Sequence, residues 1–271
     1  LYDFYGPIPI ADLETLKNPM AEKILPRLSE EEMQTYIETE LTEASKVLPA
    51  NYKKGDKNYG RFTAGLAHTV LLKLYMLTKQ WDKAEAEGRE LMKPEYGFEL
   101  VPEYKDIFTL ANEKNPEIIW ACQCAKGYQE HKWQPHVLPN DYNFTSYLDK
   151  MTKWNGYKIS WDFMQTFDPA DRRLLTIAYE YTSKDGVVHN EKNDRPDPSA
   201  QLYLGAVPLK YEFDPDCTGE DSQIDWIIYR YADVLTLTAE AIVRNKNAVT
   251  QEAVDSVSYT HLRAHETGAY L

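Results

Sequence analysis

RFTAGLAHTVLLKLYMLTKQWDKAEAEGRELM, residues 61–92, reads as two helices joined by a tight turn. In the first, Ala64, Leu66, Ala67, Val70, Leu71, Leu74, Tyr75 and Leu77 recur at helical spacing. Gly65 and Ala67 leave room for another backbone to come close. Lys79-Gln80 breaks the pattern. Trp81 and Asp82 then open a second helix, carried by Ala84, Ala86, Leu91 and Met92. One such hairpin cannot bury both of its faces, so it requires neighbours.

Two neighbours are visible further out. Upstream, Ser29 precedes three glutamates, and Glu32 stands where the partner of a capping box belongs. Met33, Ile37, Leu41, Ala44 and Leu48 line one face of the helix that follows, and Pro49 ends it. Downstream, IDWIIYRYADVLTLTAEAIVRN (224–245) reads as a helix over most of its length, with Ile228, Ala232, Leu235, Ala239, Ile242 and Val243 as its stripe. Tyr75 and Ala84 are placed like the tyrosine and small residue of a tetratricopeptide hairpin. An ordinary antiparallel helix pair gives the same pattern.

Between these blocks the chain changes character. Residues 104–110 suggest a short helix, and Glu117 to Cys122 has strand character. From Gln123 to Trp161 helical periodicity disappears and aromatics crowd in: Tyr128, Trp133, Tyr142, Phe144, Tyr147, Trp154, Tyr157 and Trp161. A connection this long is functional or disordered as a rule, and its aromatic content argues against disorder. A short helix is expected over 160–167, strands over 174–181 and 202–213, a polar surface excursion over 184–200, and an acidic loop over 214–222.

Composition narrows the function classes. The net charge of −13 repels nucleic acid and anionic membranes but not neutral sugars. No apolar run is long enough to span a bilayer. The 20 tyrosines suit wet binding surfaces as well as cores. The three cysteines lack zinc-ligand spacing and are an odd number, which argues against a disulfide framework. The chain starts at Leu1 without a signal peptide, which leaves its location open.

Four blocks resemble the SusD/RagB family of glycan-binding outer-membrane lipoproteins. They are YGPIPI (5–10), the acidic helix EEMQTYIETELTEASKVLP (31–49), the central hairpin GRFTAGLAHTVLLKLYMLTKQWDKAEAEGRELM (60–92) and DWIIYRYADVLTLTAEAIVRN (225–245). The resemblance implies a mostly α fold, a tetratricopeptide-like helical scaffold (1–121 and 224–246) with an irregular, aromatic-rich lobe containing short strands (122–223). It also implies an outward-facing lipoprotein of the outer membrane, held by a lipid anchor on an N-terminal part missing here, and a TonB-dependent, SusC-like transporter as partner. Residues 1–255 are read as a fragment of such a protein. VSYTHLRAHET (257–267) resembles a translated sequencing adapter, so 256–271 is expected to be a non-native tail.

The expected function is non-catalytic binding of oligo- or polysaccharide for delivery to that transporter. The alternative is a tetratricopeptide-type scaffold that binds a protein or peptide. Trp133, Tyr142 and Trp154 are the leading ligand residues, joined by Tyr128 and Asn143, with Asn140, Asp141 and Asn155 as further polar partners. Sugar rings present C–H faces that bury against an aromatic plane, while their hydroxyls need polar groups at the rim. Asp162, Asp168 and Asp171 are the best-placed acids for glycoside hydrolysis, but Asp168-Pro169 and Asp171 read as turn and capping residues. Asp214, Asp216, Thr218, Gly219 and Asp225 fall on calcium-loop positions, although Pro215 interrupts them and no helix precedes them. His261, His265 and Glu266 lie in the tail and are set aside as a metal site. His131 and His136 flank Trp133, where a sugar contact is open to them, with loop surface the plainer reading. No cofactor or metal is expected.

Overall fold

The computed structural model describes residues 1–18, 20, 24–142, 151–217 and 219–258. Two short helical turns, α1 (Tyr2–Tyr5) and α2 (Leu13–Lys17), precede α3 (Glu30–Val47). Ser29 caps α3 with the expected box: its hydroxyl accepts from the Glu32 amide, and Glu32 accepts from the Ser29 amide at 2.8 Å. The hairpin follows as α4 (Ala64–Leu77) and α5 (Trp81–Leu91). Thr63 caps α4 through the Leu66 amide. The turn is a Schellman motif, in which Lys79 adopts φ 59° and Gln80 N–H donates to Tyr75 O at 2.9 Å.

Helix α3 packs on α4, α4 on α5, and α5 on α9 (Tyr231–Lys246), which in turn carries α10 (Gln251–Ser258). The helices therefore stack in series, each burying its neighbour's open face. Leu71, Leu72, Tyr75, Ala84, Leu91, Val234 and Ala241 form their shared core. On α5 the buried stripe is Ala84, Gly88 and Leu91, whereas Ala86 and Met92 are exposed, contrary to expectation. Gly88 takes the closest approach: a Cβ there would overlap Oγ1 of Thr238 on α9.

Two strands cross the scaffold. β1 (Ile118–Cys122) pairs antiparallel with β7 (Trp226–Arg230), aligning Ala121 with Ile227 and Cys122 with Trp226. The expected helix from 224 is thus a strand up to Arg230, and helix only from Tyr231. Ile227 and Ile228 between two aromatics favour extended backbone once β1 offers a partner.

The intervening chain has its own core of Val137, Leu138, Tyr142, Met151, Trp161, Leu202, Ala206 and Val207. It contains α6 (Trp133–Val137), β2 (Ile159–Ser160), α7 (Trp161–Met164), β3 (Ile177–Ala178), β4 (Glu180–Thr182), β5 (Val188–Asn190), α8 (Glu191–Asp194) and β6 (Gly205–Pro208). β6 lies between β2 and β3, and β4–β5 is a hairpin. The stretch read as a polar excursion holds two buried side chains. His189 sets Nδ1 2.7 Å from Asp194 and Nε2 3.0 Å from Asp141.

The expected start of the tail falls inside α10. Ser256 is buried, and Val257 packs on the cluster of Ala239, Ile242 and Ala253. Residues 259–271 lie outside the described residues.

Candidate functional site: an aromatic cleft

A ladder of rings climbs from the core to the surface at the junction of lobe and scaffold. Its foot is Tyr211, buried, with its hydroxyl accepting from the Ile227 amide at 3.1 Å. Trp226, at the start of β7, stacks on it at 5.0 Å and 11°. Trp133, the first residue of α6, tilts against Trp226 at 5.6 Å. Tyr157 stacks on Trp133 at 6.2 Å and 21°, with 57% of its surface exposed. His136 meets Tyr157 at 5.1 Å and, edge-on, Trp154 at 4.7 Å. Trp154 is 40% exposed.

The rings are held from below. The His131 and Ser222 backbones bond reciprocally, and Gln134, buried, donates to Glu212 O at 2.9 Å. His131 accepts from the Trp133 amide on Nδ1 and faces Ile224 O with Nε2, which assigns its proton to Nε2. Burial lowers its pKa, in keeping with a neutral ring.

Residues 154–157 are strapped to α6 by backbone bonds. Trp154 N–H donates to Pro135 O, Asn155 N–H to Leu138 O, and the amides of Gly156 and Tyr157 both to His136 O. Asn155 turns the chain with φ 53°, its side chain donating to Gln201 and accepting from Lys158. Burial brings the Lys158 ammonium down to about 8. A Cβ at Gly156 would stand 2.9 Å from His136 O.

The cleft beside the ladder encloses about 700 Å³ between Cys122, Gln129, Lys132, Trp133, Tyr157 and Trp226. The lining mixes aromatic rings with the polar side chains of Gln129, Glu130 and Lys132. Lys132 is paired with Glu220 at 2.6 Å and Glu130 lines the same cleft, so this rim carries no excess positive charge.

The expected ligand residues distribute unevenly. Trp133 and Trp154 belong to the ladder. Tyr142 does not: it is 9% exposed, packed 4.7 Å from Tyr181 in the lobe core, so its ring is no open platform. Tyr128 is 94% exposed at the tip of a turn closed by Ala125 and Gln129, apart from the ladder. Asn143 lies outside the described residues. Asp141 is engaged by Tyr181 and His189, and Asn155 by Gln201 and Lys158, so neither is a free rim group. Trp226 and Tyr211 lie beyond the aromatic stretch that the sequence picks out, and Tyr157 and His136, named there, are not among its leading ligand residues. The Asn155-Gly156 pair was the available signal, because a left-handed turn between Trp154 and Tyr157 folds both onto α6.

The acids have structural partners. Asp162 is exposed and paired with Arg195, Asp168 caps the Ala170 amide, and Asp171 grips Arg173 at 2.6 Å. Asp214 accepts from the amides of Asp216 and Gln223, and Asp225 from that of Cys124. Thr218 lies outside the described residues. Among the described residues no three His, Cys, Asp or Glu side chains converge as metal ligands, and no helix is long and apolar enough to cross a membrane.

No protein-family model matches the chain. It is similar to a SusD-like protein of Bacteroides ovatus, 26% identical over 89% of this chain and 46% of that protein. A solved SusD superfamily protein from Parabacteroides distasonis superposes with TM-score 0.71 at 20% identity, covering 95% of this chain and 56% of its own.

The chain has the SusD-like fold.

The chain also superposes on surface glycan-binding protein A from Bacteroides thetaiotaomicron, solved with laminarihexaose. There the TM-score is 0.64 at 16% identity, over 90% of this chain and 56% of the other. The chain thus spans about half the length of the proteins it matches.

Proposed function

We propose that this chain is the neutral-glycan-binding part of a non-catalytic cell-surface protein, which hands its ligand to a TonB-dependent, SusC-like transporter of the outer membrane. The observation that carries the reading is the exposed ring of Tyr157 in a cleft that Gln129 and Lys132 also line, with the exposed Trp154 next to it across His136. Pyranose C–H faces bury against such rings, and the sugar hydroxyls remain within reach of Gln129 and Lys132. The negative net charge favours neutral over acidic glycans. The fold's likeness to a surface glycan-binding protein supports the same reading. The acids read as hydrolysis candidates are engaged in ion pairs and caps, which supports binding rather than turnover.

Affinity electrophoresis in gels containing neutral polysaccharides tests it. Tyr157→Ala should lose retention on every polysaccharide that the parent binds and Trp154→Ala on at least one of them, by roughly tenfold for a lost stacking contact of about 1.4 kcal/mol, with unchanged melting temperature. Retention equal to the parent in both variants would move the site elsewhere.

A second reading, a scaffold for a protein segment, is favoured by one observation. A groove of about 550 Å³ runs between the N-terminal turn, α3 and α4, lined by Ile8, Ile10, Met33, Ile37, Leu74 and Leu77. Its lining is mostly apolar, with Tyr2, Tyr36 and Tyr229 among the aliphatic side chains, which suits an amphipathic helix.

A further inference from the structure

We propose that the rings of Tyr157 and Trp154 select glycans whose successive sugar planes turn relative to one another, over flat ribbon-like chains. The inference rests on the glycan-binding reading and concerns the angle between its two exposed rings.

A sugar stacks with its mean plane parallel to the aromatic plane beneath it. Trp133 and Tyr157 are nearly parallel, at 21°, and offer one orientation. Across His136 the orientation changes. The imidazole is tilted 35° to Tyr157 but 77° to Trp154. The planes of Trp154 and Tyr157 therefore differ by no less than the difference between those tilts. Two sugars that lie on these two rings must be rotated relative to each other by a similar angle.

The bend is fixed in the backbone. Four amides of residues 154–157 donate to carbonyls of 135–138, Asn155 holds the left-handed turn, and Gly156 has no room for a side chain. Those bonds fix the backbone that carries Trp154 and Tyr157, and the contacts of both rings with His136, at 4.7 and 5.1 Å, hold their planes apart, so the site is pre-organised for a turned ligand.

Glycan linkage translates this into chemistry. Equatorial β-1,4 linkages hold successive sugar faces in one ribbon plane, so a ribbon seated on Tyr157 in the cleft does not also cover Trp154. β-1,3 and α-1,4 linkages rotate each sugar against the last and allow both rings to be covered. The ion pair between Lys132 and Glu220 leaves this rim without the excess positive charge that uronic acids would need.

The test is native affinity electrophoresis of the full chain in gels containing hydroxyethyl cellulose or galactomannan as ribbons, and β-1,3-glucan or α-1,4-glucan as turning chains. Turning chains should retain the protein with an apparent Kd about tenfold lower, the worth of one added stacked ring. Trp154→Ala should bring them down to the ribbon level and leave the ribbons unaffected. Trp154→Leu, which keeps an apolar contact on His136 but no flat face, gives the same reading should the alanine variant unfold. Equal retention of both classes, or a preference that survives loss of the Trp154 ring, would overturn the inference while leaving glycan binding intact. Retention by none of the four polysaccharides would remove the glycan reading and this inference with it.

Discussion

Arg230 and Glu117 meet at 2.6 Å where β7 passes into α9. Glu117 is wholly buried, and its other oxygen accepts from the Val101 amide at 2.9 Å. The guanidinium lies over Phe108 and Tyr104, 5.5 and 5.8 Å from their ring centres. We predict that Glu117→Ala, which leaves the guanidinium buried without this partner, lowers stability by about 3–5 kcal/mol. Denaturant unfolding reads this directly. A loss below about 1 kcal/mol, typical of exposed pairs, would mean that water reaches the site.

Gly88→Ala sets two effects against each other. Alanine improves helix propensity by about 1 kcal/mol, but its methyl would overlap Thr238, whose hydroxyl donates to Val234 O at 2.6 Å. Overpacking of this kind costs about 1–3 kcal/mol, so the expected net effect is destabilising. Adding Thr238→Ala should recover much of the loss. A thermal melt of the single and double variants decides; a more stable single variant would show that α5 and α9 do not approach this closely.

Glu113 titrates abnormally high, at about 7, chiefly because it is partly buried, with the nearby Asp225 adding to the effect. A carboxyl raised in the folded state binds more protons there than in the unfolded chain. Its contribution to stability is therefore full below the unfolded value and falls as pH rises through 7. With solvent still reaching the group, a loss on the order of 1 kcal/mol corresponds to about 2–4 °C in Tm. Glu113→Gln should remove this part of the slope and melt higher than the parent at pH 7.5. Parallel profiles for the two proteins between pH 5 and 7.5 would sink the assignment.

Asn155 sets the geometry of the exposed rings. Asn155→Gly keeps access to positive φ, and should retain polysaccharide as the parent does. Asn155→Val forces a β-branched side chain into a left-handed conformation, a strain of roughly 1–2 kcal/mol, and removes the bonds to Gln201. We expect it to lose retention and to change near-ultraviolet tryptophan dichroism, while far-ultraviolet helix content stays. An unchanged spectrum and unchanged retention would show that the rings are held without this turn.

The scaffold was legible because each helix buries one stripe and carries its own start and stop signals. Ser29 with Glu32, and the break at Lys79, can be read from adjacent residues alone. β7 was not legible, since its partner β1 lies about a hundred positions away and nothing within WIIYR separates a strand from a buried helical turn. At the site, composition revealed the aromatics but not their exposure. Tyr142 is buried because Tyr181 packs on it from a distant hairpin, and Tyr211 and Trp226 join the ladder from beyond the aromatic stretch. His189 looked like a surface residue because Asp141, which faces its second nitrogen, is 48 positions upstream.

Trp226 opens β7, Arg230 closes it, and Tyr231 is already helical. No flexible connector separates the floor of the cleft from the longest downstream helix. Pairing with β1 and the buried Arg230–Glu117 contact stiffen that join further. The ring ladder and the helical stack consequently share one reference frame. A sugar chain seated on Tyr157 and Trp154 has its direction set relative to the scaffold, so that whatever grips the helices also determines which way the chain points.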